Sequence, residues 1–425
     1  MENRRSGFLL RYLYGIILFI IFCMTCSRKS SPVEPGGDRW LPVTESVNGS
    51  LTEIEGITLL TLWGTHYEQG YAHGYLYAPE IIEYLDFQLD QEGIVEFYEN
   101  VVLPNIGKYD VPEDYMQELE GFLAGMEARA GGPVYVDAVD RALTINDIIA
   151  STCVDNPDHL LGGHCTSFCA WDAVTEGGGP ITGRNYDHPD DVINTGRYIF
   201  IIRKSPPGSG FQSWISVALP GALNCETAMN SEGVTFATQE VNLIRETSVT
   251  EGFCPETLLQ RRLLESARAQ SVVEDVSGVL QELYTNGGEA ILMSWPSGQG
   301  ACSVVFEIDG DLTTGHGFTV RRPENGIAYM IQTNQFYERL DPEASSRYSL
   351  IEARLDSILS GHNPFLTVDD AWEILGRVPS GGSLIIQHAV VFEPDNMLMH
   401  VAFAEPGIHA TDCRRVTVDV GEVLN

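Results

Sequence analysis

The sequence predicts an α+β protein in which two stacked sheets, or one large sheet, are covered by helices. Three observations carry this. Apolar residues at helical spacing dominate up to about residue 163. From Cys165 onward, short runs rich in β-branched and aromatic residues take over, separated by Gly, Pro and Asp. These strand groups then alternate with helix pairs, the pattern of sheets with helical cover.

Taken in order, 57–64 (ITLLTLWG) alternates as a strand and leads into a helix over 64–85. A second helix spans 113–129, where Tyr115, Leu119, Phe122 and Met126 share one face. Strands are expected at 165–171, 180–184, 197–203, 213–219 and 233–238. The TEGGGP stretch between the first two has no Gly-Lys-Ser/Thr ending, so it is expected to turn a hairpin and not to cradle phosphate. Helices follow at 255–269 and 272–284, and strands at 289–295, 302–308 and 327–331. Two further helices, 345–359 and 368–378, precede the last strands at 383–392 and 397–403. No repeat or low-complexity block interrupts residues 50 to 425, which predicts one continuous domain.

Composition narrows the partners. Acidic side chains number 59 against 25 basic ones, a formal net charge of -34. Such a surface repels phosphate backbones and no Lys/Arg cluster relieves it, so no nucleic-acid partner is expected. The start of the chain has a different character. Arg4, Arg5 and Arg11 precede an apolar run from Tyr12 to Cys26, followed by a polar stretch rich in Pro and Gly. That is the layout of an export signal (1–26) and a flexible linker (27–50). The run is short for a membrane span, which needs about 20 residues. Lipidation of Cys26, an uncleaved anchor and ordinary secretory cleavage all remain open. Each places the body outside the cytoplasm, at a bacterial cell envelope, with membrane contact through the N-terminal lipid or anchor.

Cysteine usage supports no zinc site, since the folded body has no C-x-x-C and no accompanying His-x-x-x-His. Cys153, Cys169, Cys225, Cys254, Cys302 and Cys413 are either disulfide partners or buried apolar thiols. Cys165 stands apart because Thr166 and Ser167 follow it and Gly-Arg-Asn-Tyr-Asp closes the next strand. A cysteine nucleophile needs a base for its proton and donors for the oxyanion. Cutting the peptide bond before Cys165 would free an α-amine beside the thiol, with an ordinary pKa near 8, low enough to act as that base.

Several motifs, in order, resemble one family. They are LWGTHYEQGYAHGYL (62–76), CTSFCAWDAVTEGGGPITGRNYDHP (165–189), AMNSEGVTFATQE (228–240), IQTNQFYE (331–338) and SSRYSLIEARL (345–355). The chain resembles the N-terminal-nucleophile hydrolases of the penicillin acyl-coenzyme A acyltransferase type, relatives of the bile salt hydrolases and phospholipase B-like proteins. The resemblance covers roughly residues 55 to 405. It departs from the family at Ser231, where glutamate is common, at Gln335, where histidine is, and at His164, where glycine often precedes the cut bond.

The resemblance implies a four-layer αββα sandwich and self-cleavage between His164 and Cys165. A small chain (51–164) and a large chain (165–425) would stay together as a heterodimer. It implies Cys165 as nucleophile with its own amine as base, Arg184 orienting the thiolate and lowering its pKa, and Asp187 holding the ammonium. Asn334 would donate its side-chain amide to the oxyanion, a backbone N–H near Gln239 would be the second donor, and Arg347 would support the site electrostatically. The substrate would be a small acylated molecule, amide or ester, passing through a thioester to water or to an amine, with no metal or organic cofactor. A phospholipase B-like ester hydrolase, a papain-like cysteine hydrolase and a non-catalytic envelope binding protein are the rival readings. Arg184 and Asp187 as a surface ion pair, and Asn334 as a turn residue, are the plain alternatives for those positions. His188, His388 and His400 are set aside as structural.

Overall fold

The structure, a computed structural model, describes residues 40–90, 93–153, 164–189, 198–241, 251–298, 301–313, 315–340, 342–361, 365–381 and 384–425. The expected export segment and Cys26 lie outside these residues, as does the linker before residue 40. Among the described residues no helix is long and apolar enough to cross a membrane.

The chain begins with a hairpin, β1 (Gly49–Ile54) and β2 (Ile57–Leu62), and continues into helix α1 (His66–Leu89). Thr65 caps α1 in a reciprocal box with Glu68, which satisfies two end donors and sets where the helix starts. Helix α2 (Glu113–Ala130) packs along α1 at unusually close range. Glycines make this possible. A Cβ at Gly70 or Gly74 would lie 2.0 or 2.1 Å from the carbonyl oxygens of Glu118 or Phe122, and Gly121 and Gly125 meet α1 the same way. A two-residue ladder, β3 (Tyr135–Val136) with β4 (Arg141–Ala142), leads to α3 (Ile145–Cys153).

The hairpin β5 (His164–Ala170) and β6 (Ile181–Pro189) follows, turned through Gly177 and Gly178, both at φ 83°. Next come β7 (Ile199–Arg203), β8 (Trp214–Ala218), β9 (Thr227–Asn230) and β10 (Thr235–Glu240), then helices α4 (Glu256–Ser266) and α5 (Val272–Glu282). Strands β11 (Glu289–Ser294), β12 (Ser303–Ile308), β13 (Phe318–Arg321) and β14 (Tyr329–Gln332) precede α6 (Ser346–Leu359) and α7 (Val368–Arg377). The chain closes with β15 (Leu384–Glu393), β16 (Leu398–Phe403), β17 (Val416–Asp419) and the short α8 (Val420–Leu424). β1, β3, β4, β9, β13 and β17 are absent from the strands expected from the sequence, β3 and β4 being two residues long and β9 four. β13 and β17 are only four residues long, and β1 is a largely exposed edge strand without a clear apolar face.

Two sheets result. One has nine strands in the order β1-β2-β7-β8-β9-β10-β11-β12-β13, and the other six in the order β14-β5-β6-β15-β16-β17. Three cores define the layering. Ile201, Trp214, Phe236 and Phe306 of the nine-stranded sheet pack on α1, α2, α4 and α5. Phe168, Ile331 and Val391 of the six-stranded sheet pack on Ile351, Leu355, Ile374 and Leu375 of α6 and α7. Between the sheets, Phe200, Ile215 and Met229 meet Val390, Phe392 and Val401, while Leu292 and Val305 meet Cys169, Trp171 and Phe336. Alternate strand residues point to opposite faces, so this is a helix–sheet–sheet–helix sandwich, the four-layer arrangement the resemblance implies.

The first part of the chain is built into this fold. β2 pairs in parallel with β7, and a buried ion cluster ties α2 to the sheet beneath it. Glu118 of α2 pairs with Arg203 of β7 and, at 2.9 Å, with Arg261 of α4. Tyr115 Oη donates to Glu265 at 2.7 Å.

Candidate active site

Cys165 is the second residue of β5, which lies between the edge strand β14 and β6 in the six-stranded sheet. The pleat sends Cys165, Ser167 and Cys169 towards the other sheet, and Thr166 and Phe168 towards α6 and α7. β6 runs antiparallel with His164 opposite Asp187 and Ser167 opposite Arg184. Its even-numbered residues face inward: Thr182 Oγ1 bonds Ser294 Oγ at 2.6 Å, and Arg184 donates to the carbonyl of Thr238. Asn185 faces outward and donates to Leu375 of α7 at 2.9 Å. Arg184 and Asp187 therefore project from opposite faces of one strand. Both are almost fully buried, at 0% and 1% exposure, which excludes the surface ion pair. Gly183 beside Arg184 is obligatory, since a Cβ there would lie 2.6 Å from the Phe168 ring.

The β14–β5 register places Gln332 opposite Ser167, which brings Asn334, two residues beyond, alongside Cys165. The Cys165 backbone N–H donates to Asn334 Oδ1 at 2.9 Å, and Asn334 Nδ2 donates to the Glu240 carbonyl at 2.7 Å. The loop after Asn334 is held from below by Glu307, whose carboxylate accepts from the N–H groups of Tyr337 (2.7 Å) and Arg339 (2.8 Å). Ser345 caps α6 by accepting from the N–H of Tyr348, and its hydroxyl meets Thr333 Oγ1 at 3.1 Å. This link between strand end and helix start sets Arg347 over β5. Its guanidinium donates to the Cys165 carbonyl (3.0 Å), Thr166 Oγ1 (3.0 Å) and Asn334 Oδ1 (2.8 Å), and lies 3.7 Å from Asp187 Oδ2.

Arg184 donates towards Cys165 Sγ at 3.8 Å. Burial dominates the thiol pKa and pushes it up to about 12; the Arg184 charge pulls it down, as expected, but is outweighed, with Asp187 and Glu226 adding to the rise. In the uncut chain burial therefore disfavours the thiolate, while the pull of Arg184 on the thiol has the expected direction. Asp187 is also pushed well above the usual carboxylate range, by burial, against the pull of Arg347 and Arg184. Neither of its carboxylate oxygens has a hydrogen bond. His164 is held below the usual imidazole range by burial and by Arg347, 3.4 Å from its Nδ1.

Gln239 lies on β10 and faces β5. The N–H of Val241 bonds the Gly288 carbonyl, so by alternation Gln239 and Ala290 form a hydrogen-bonded ladder pair. Its side-chain amide donates to Ser167 Oγ at 2.7 Å, bridging the two sheets. The N–H of Gln239 itself is therefore held in the ladder, and one Nε2 hydrogen is held by Ser167. Among the described residues none of the six other candidate half-cystines forms a disulfide, and all but Cys413 are buried, in keeping with the reading as apolar thiols.

Several residues at the site escaped sequence reasoning. Tyr186 stacks between His188 (4.8 Å between centroids) and His388 (4.7 Å), and His388 Nε2 bonds Thr227 Oγ1 at 2.9 Å. An irregularity between Ile386 and His388 turns His388 inward from β15. A cavity of about 30 Å³ opens at Cys165, lined by Tyr186, His188, Glu226, Glu240, Gln260 and Glu289 among others. A larger one, about 230 Å³, lies beside it, walled by apolar residues such as Ile81, Leu85, Phe97, Ile148 and Leu223. Tyr186 and Glu226 line both. The inward-facing alternation of β6 was the available signal for Tyr186 and His188. The glutamates come from scattered loops and element ends and carried none.

Residues 174–401, more than half of the chain, match the family described as acyl-coenzyme A:6-aminopenicillanic acid acyl-transferase. The matched segment contains Arg184, Asp187, Gln239, Asn334 and Arg347 and begins after Cys165. An uncharacterized protein of Archaeoglobus fulgidus is 25% identical over 211 residues, 43% of this chain; the chain covers 32% of that relative's length. Among solved structures, the chain is similar to a mutant of conjugated bile acid hydrolase from Clostridium perfringens (14% identity, 60% of this chain and 93% of that one, TM-score 0.42). It is also similar to the N-acylethanolamine-hydrolyzing acid amidase ortholog of Caenorhabditis elegans (13%, 60% and 99%, 0.39). A third is penicillin V acylase from Agrobacterium tumefaciens (14%, 57% and 84%, 0.39).

Proposed function

Since the chain belongs to the acyl-coenzyme A:6-aminopenicillanic acid acyl-transferase family, we propose that it is a self-processing cysteine amidase or acyltransferase acting on a linear amide. The observation that carries this reading is the buried Asp187 carboxylate, without a hydrogen bond, opposite His164 in the strand register. Arg347 approaches Asp187 at 3.7 Å but no hydrogen bond reaches either oxygen among the described residues, so a second cation that donates to the buried carboxylate stabilises it further. Scission of the His164–Cys165 bond creates such a cation, the new α-ammonium of Cys165, next to Asp187.

In the processed enzyme the freed amine takes the thiol proton and Sγ attacks the acyl carbon. The carbon–sulfur bond forms as the carbonyl oxygen takes up the charge; the carbon–nitrogen bond then breaks as the carbonyl reforms, and the proton held by the α-ammonium leaves with the amine. Water or a second amine then attacks the thioester and the proton returns to sulfur. Arg184, 3.8 Å from Sγ, stabilises the thiolate as it forms. Arg347 holds the Cys165 carbonyl and Asn334 Oδ1, which keeps the new terminus in place. One Asn334 Nδ2 hydrogen is held by Glu240 and the second is offered to the oxyanion. None of these steps calls on a metal or organic cofactor.

We place the enzyme at the outer side of a bacterial envelope, on the strength of the apolar run ending at Cys26 and the tether after it. N-terminal sequencing of the purified protein tests the central claim. A fragment starting at Cys165 is the expected result. A single intact chain that still releases acyl groups sinks the reading.

A further inference from the structure

We infer that the acyl group this enzyme cleaves is apolar and of medium length, about nine carbons, and that it lies in the larger cavity, whose outer wall is formed by the small chain. The inference rests on Cys165 being the nucleophile and names the substrate class: amides of unbranched, medium-chain carboxylic acids.

The cavity begins one strand away from the thiol. Tyr186 lies directly opposite Cys165 in the β5–β6 register and lines both cavities, and His388, directly opposite Tyr186 in the β6–β15 register, lines the larger one. Side chains directly opposite each other in an antiparallel pair have Cβ atoms about 5 Å apart. Cys165, Tyr186 and His388 therefore form one row across the inner face of the sheet. An acyl group whose carbonyl meets Sγ extends along that row into the larger cavity.

Two parts of the chain supply the walls. Ile81 and Leu85 of α1, Phe97 between α1 and α2, and Ile148 of α3 precede the His164–Cys165 bond, whereas Val217 of β8 and Leu223 of the β8–β9 connection follow it. Neither part alone encloses the space. Polar side chains in the lining are turned to the protein. Asp147 accepts from Arg141 at 2.7 Å and from Tyr98 Oη at 2.5 Å, Ser151 Oγ donates to the Ile148 carbonyl at 2.8 Å, and Thr257 Oγ1 to that of Thr152 at 2.9 Å. What is left to a ligand is mainly aliphatic and aromatic surface, and a carbon chain gains from leaving water for it.

The length of that chain follows from packing. Protein interiors hold few voids larger than a water molecule, so about 230 Å³ against apolar walls is room for a ligand. An apolar cavity of about 150 Å³ takes up the six-carbon ring of benzene. In proportion, about 230 Å³ takes up about nine carbons. Leu85 and Phe97 from the small chain and Ala222 from the large one line this space half-buried, and their size sets how far a chain reaches.

The test uses the processed protein and the primary amides of unbranched acids from butanamide to tetradecanamide, whose common leaving group is ammonia. The expected kcat/KM, read from ammonia release, rises about fourfold per added methylene and stops rising at about nine carbons, where the cavity is full. Leu85→Ala and Phe97→Ala are expected to move that break to longer chains by about two carbons or more, and Ala222→Phe to shorter ones. The position of the break is internal to each preparation and independent of how much of it is folded. A flat series, a fall from butanamide onward, a rise unbroken to tetradecanamide, or a break that stays in place in all three variants overturns the inference. Calorimetric titration of the same amides into Cys165→Ala separates the acyl site from the proposed reaction. Affinity that breaks at the same length while wild type releases no ammonia upholds the site and overturns the amidase reading. Ammonia release without a break overturns the site alone, and absence of both binding and turnover overturns both. If Cys165→Ala releases ammonia as fast as wild type, the reading of Cys165 as nucleophile falls.

Discussion

At the scale of single residues, burial disfavours the charged forms of Cys165 and Asp187. Desolvation raises the Cys165 thiol to about 12 and lifts Asp187 well above its ordinary 3.8. The proposed scission would change both, since it would place a basic amine beside the thiol and an ammonium beside the carboxylate. Cys165→Ala is expected to leave the chain uncut and inactive, which a denaturing gel and an acyl-release assay check together. The Cys165→Ala chain also isolates the Asp187 effect. A carboxyl raised in the folded state favours folding while protonated, and that contribution is lost as pH rises through its folded value. Thermal melts of Cys165→Ala between about pH 4 and about pH 8 are therefore expected to lose stability towards high pH. Asp187→Asn in the same background should flatten that slope; an unchanged slope refutes the assignment.

At the scale of elements, backbone proximity sets the limits. α1 and α2 approach so closely that Gly70, Gly74, Gly121 and Gly125 each face a carbonyl oxygen of the other helix. Gly74→Ala puts a Cβ 2.1 Å from the Phe122 oxygen, so the helices have to separate, at a cost of about 1–3 kcal/mol or more. A lowered melting temperature with nucleophile chemistry otherwise intact is the expected result, and a neutral melt contradicts it. On the other side of the sandwich, the Thr333–Ser345 contact ties β14 to the start of α6 and thereby holds Arg347 over Cys165. Arg347→Lys keeps the charge but cannot span the Cys165 carbonyl, Thr166 Oγ1 and Asn334 Oδ1 together. Self-cleavage slowed by about tenfold or more, followed on a gel over time, is expected.

At the scale of the whole molecule, the proposed scission divides the chain into two parts that do not separate along a natural seam. β2 belongs to the nine-stranded sheet through β7, and α1 and α2 cover that sheet's outer face. The cluster of Glu118 with Arg203 and Arg261 crosses between the parts with all three side chains buried. Removing one member leaves buried charges unmatched, so Glu118→Ala is expected to cost about 3–5 kcal/mol. In the processed protein this should appear as release of the small chain on size-exclusion chromatography at denaturant concentrations that wild type withstands. Retention equal to wild type would show that apolar packing alone holds the parts together.

The sequence by itself determined the order and kind of the main elements, because side-chain period and turn residues are local properties: the helix at Tyr115, Leu119, Phe122 and Met126, the hairpin at TEGGGP, and the short strands after it. The resemblance of its motifs to a known family also singled out Cys165, Arg184, Asp187, Asn334 and Arg347. What only the tertiary structure decided depends on groups distant in the chain meeting in space. The burial that outweighs the pull of Arg184 on the thiol is of this kind, as is the convergence of four glutamates on one cavity. Desolvation and charge coupling act across a few ångströms of space, and no local pattern of residues encodes which loops will supply those charges.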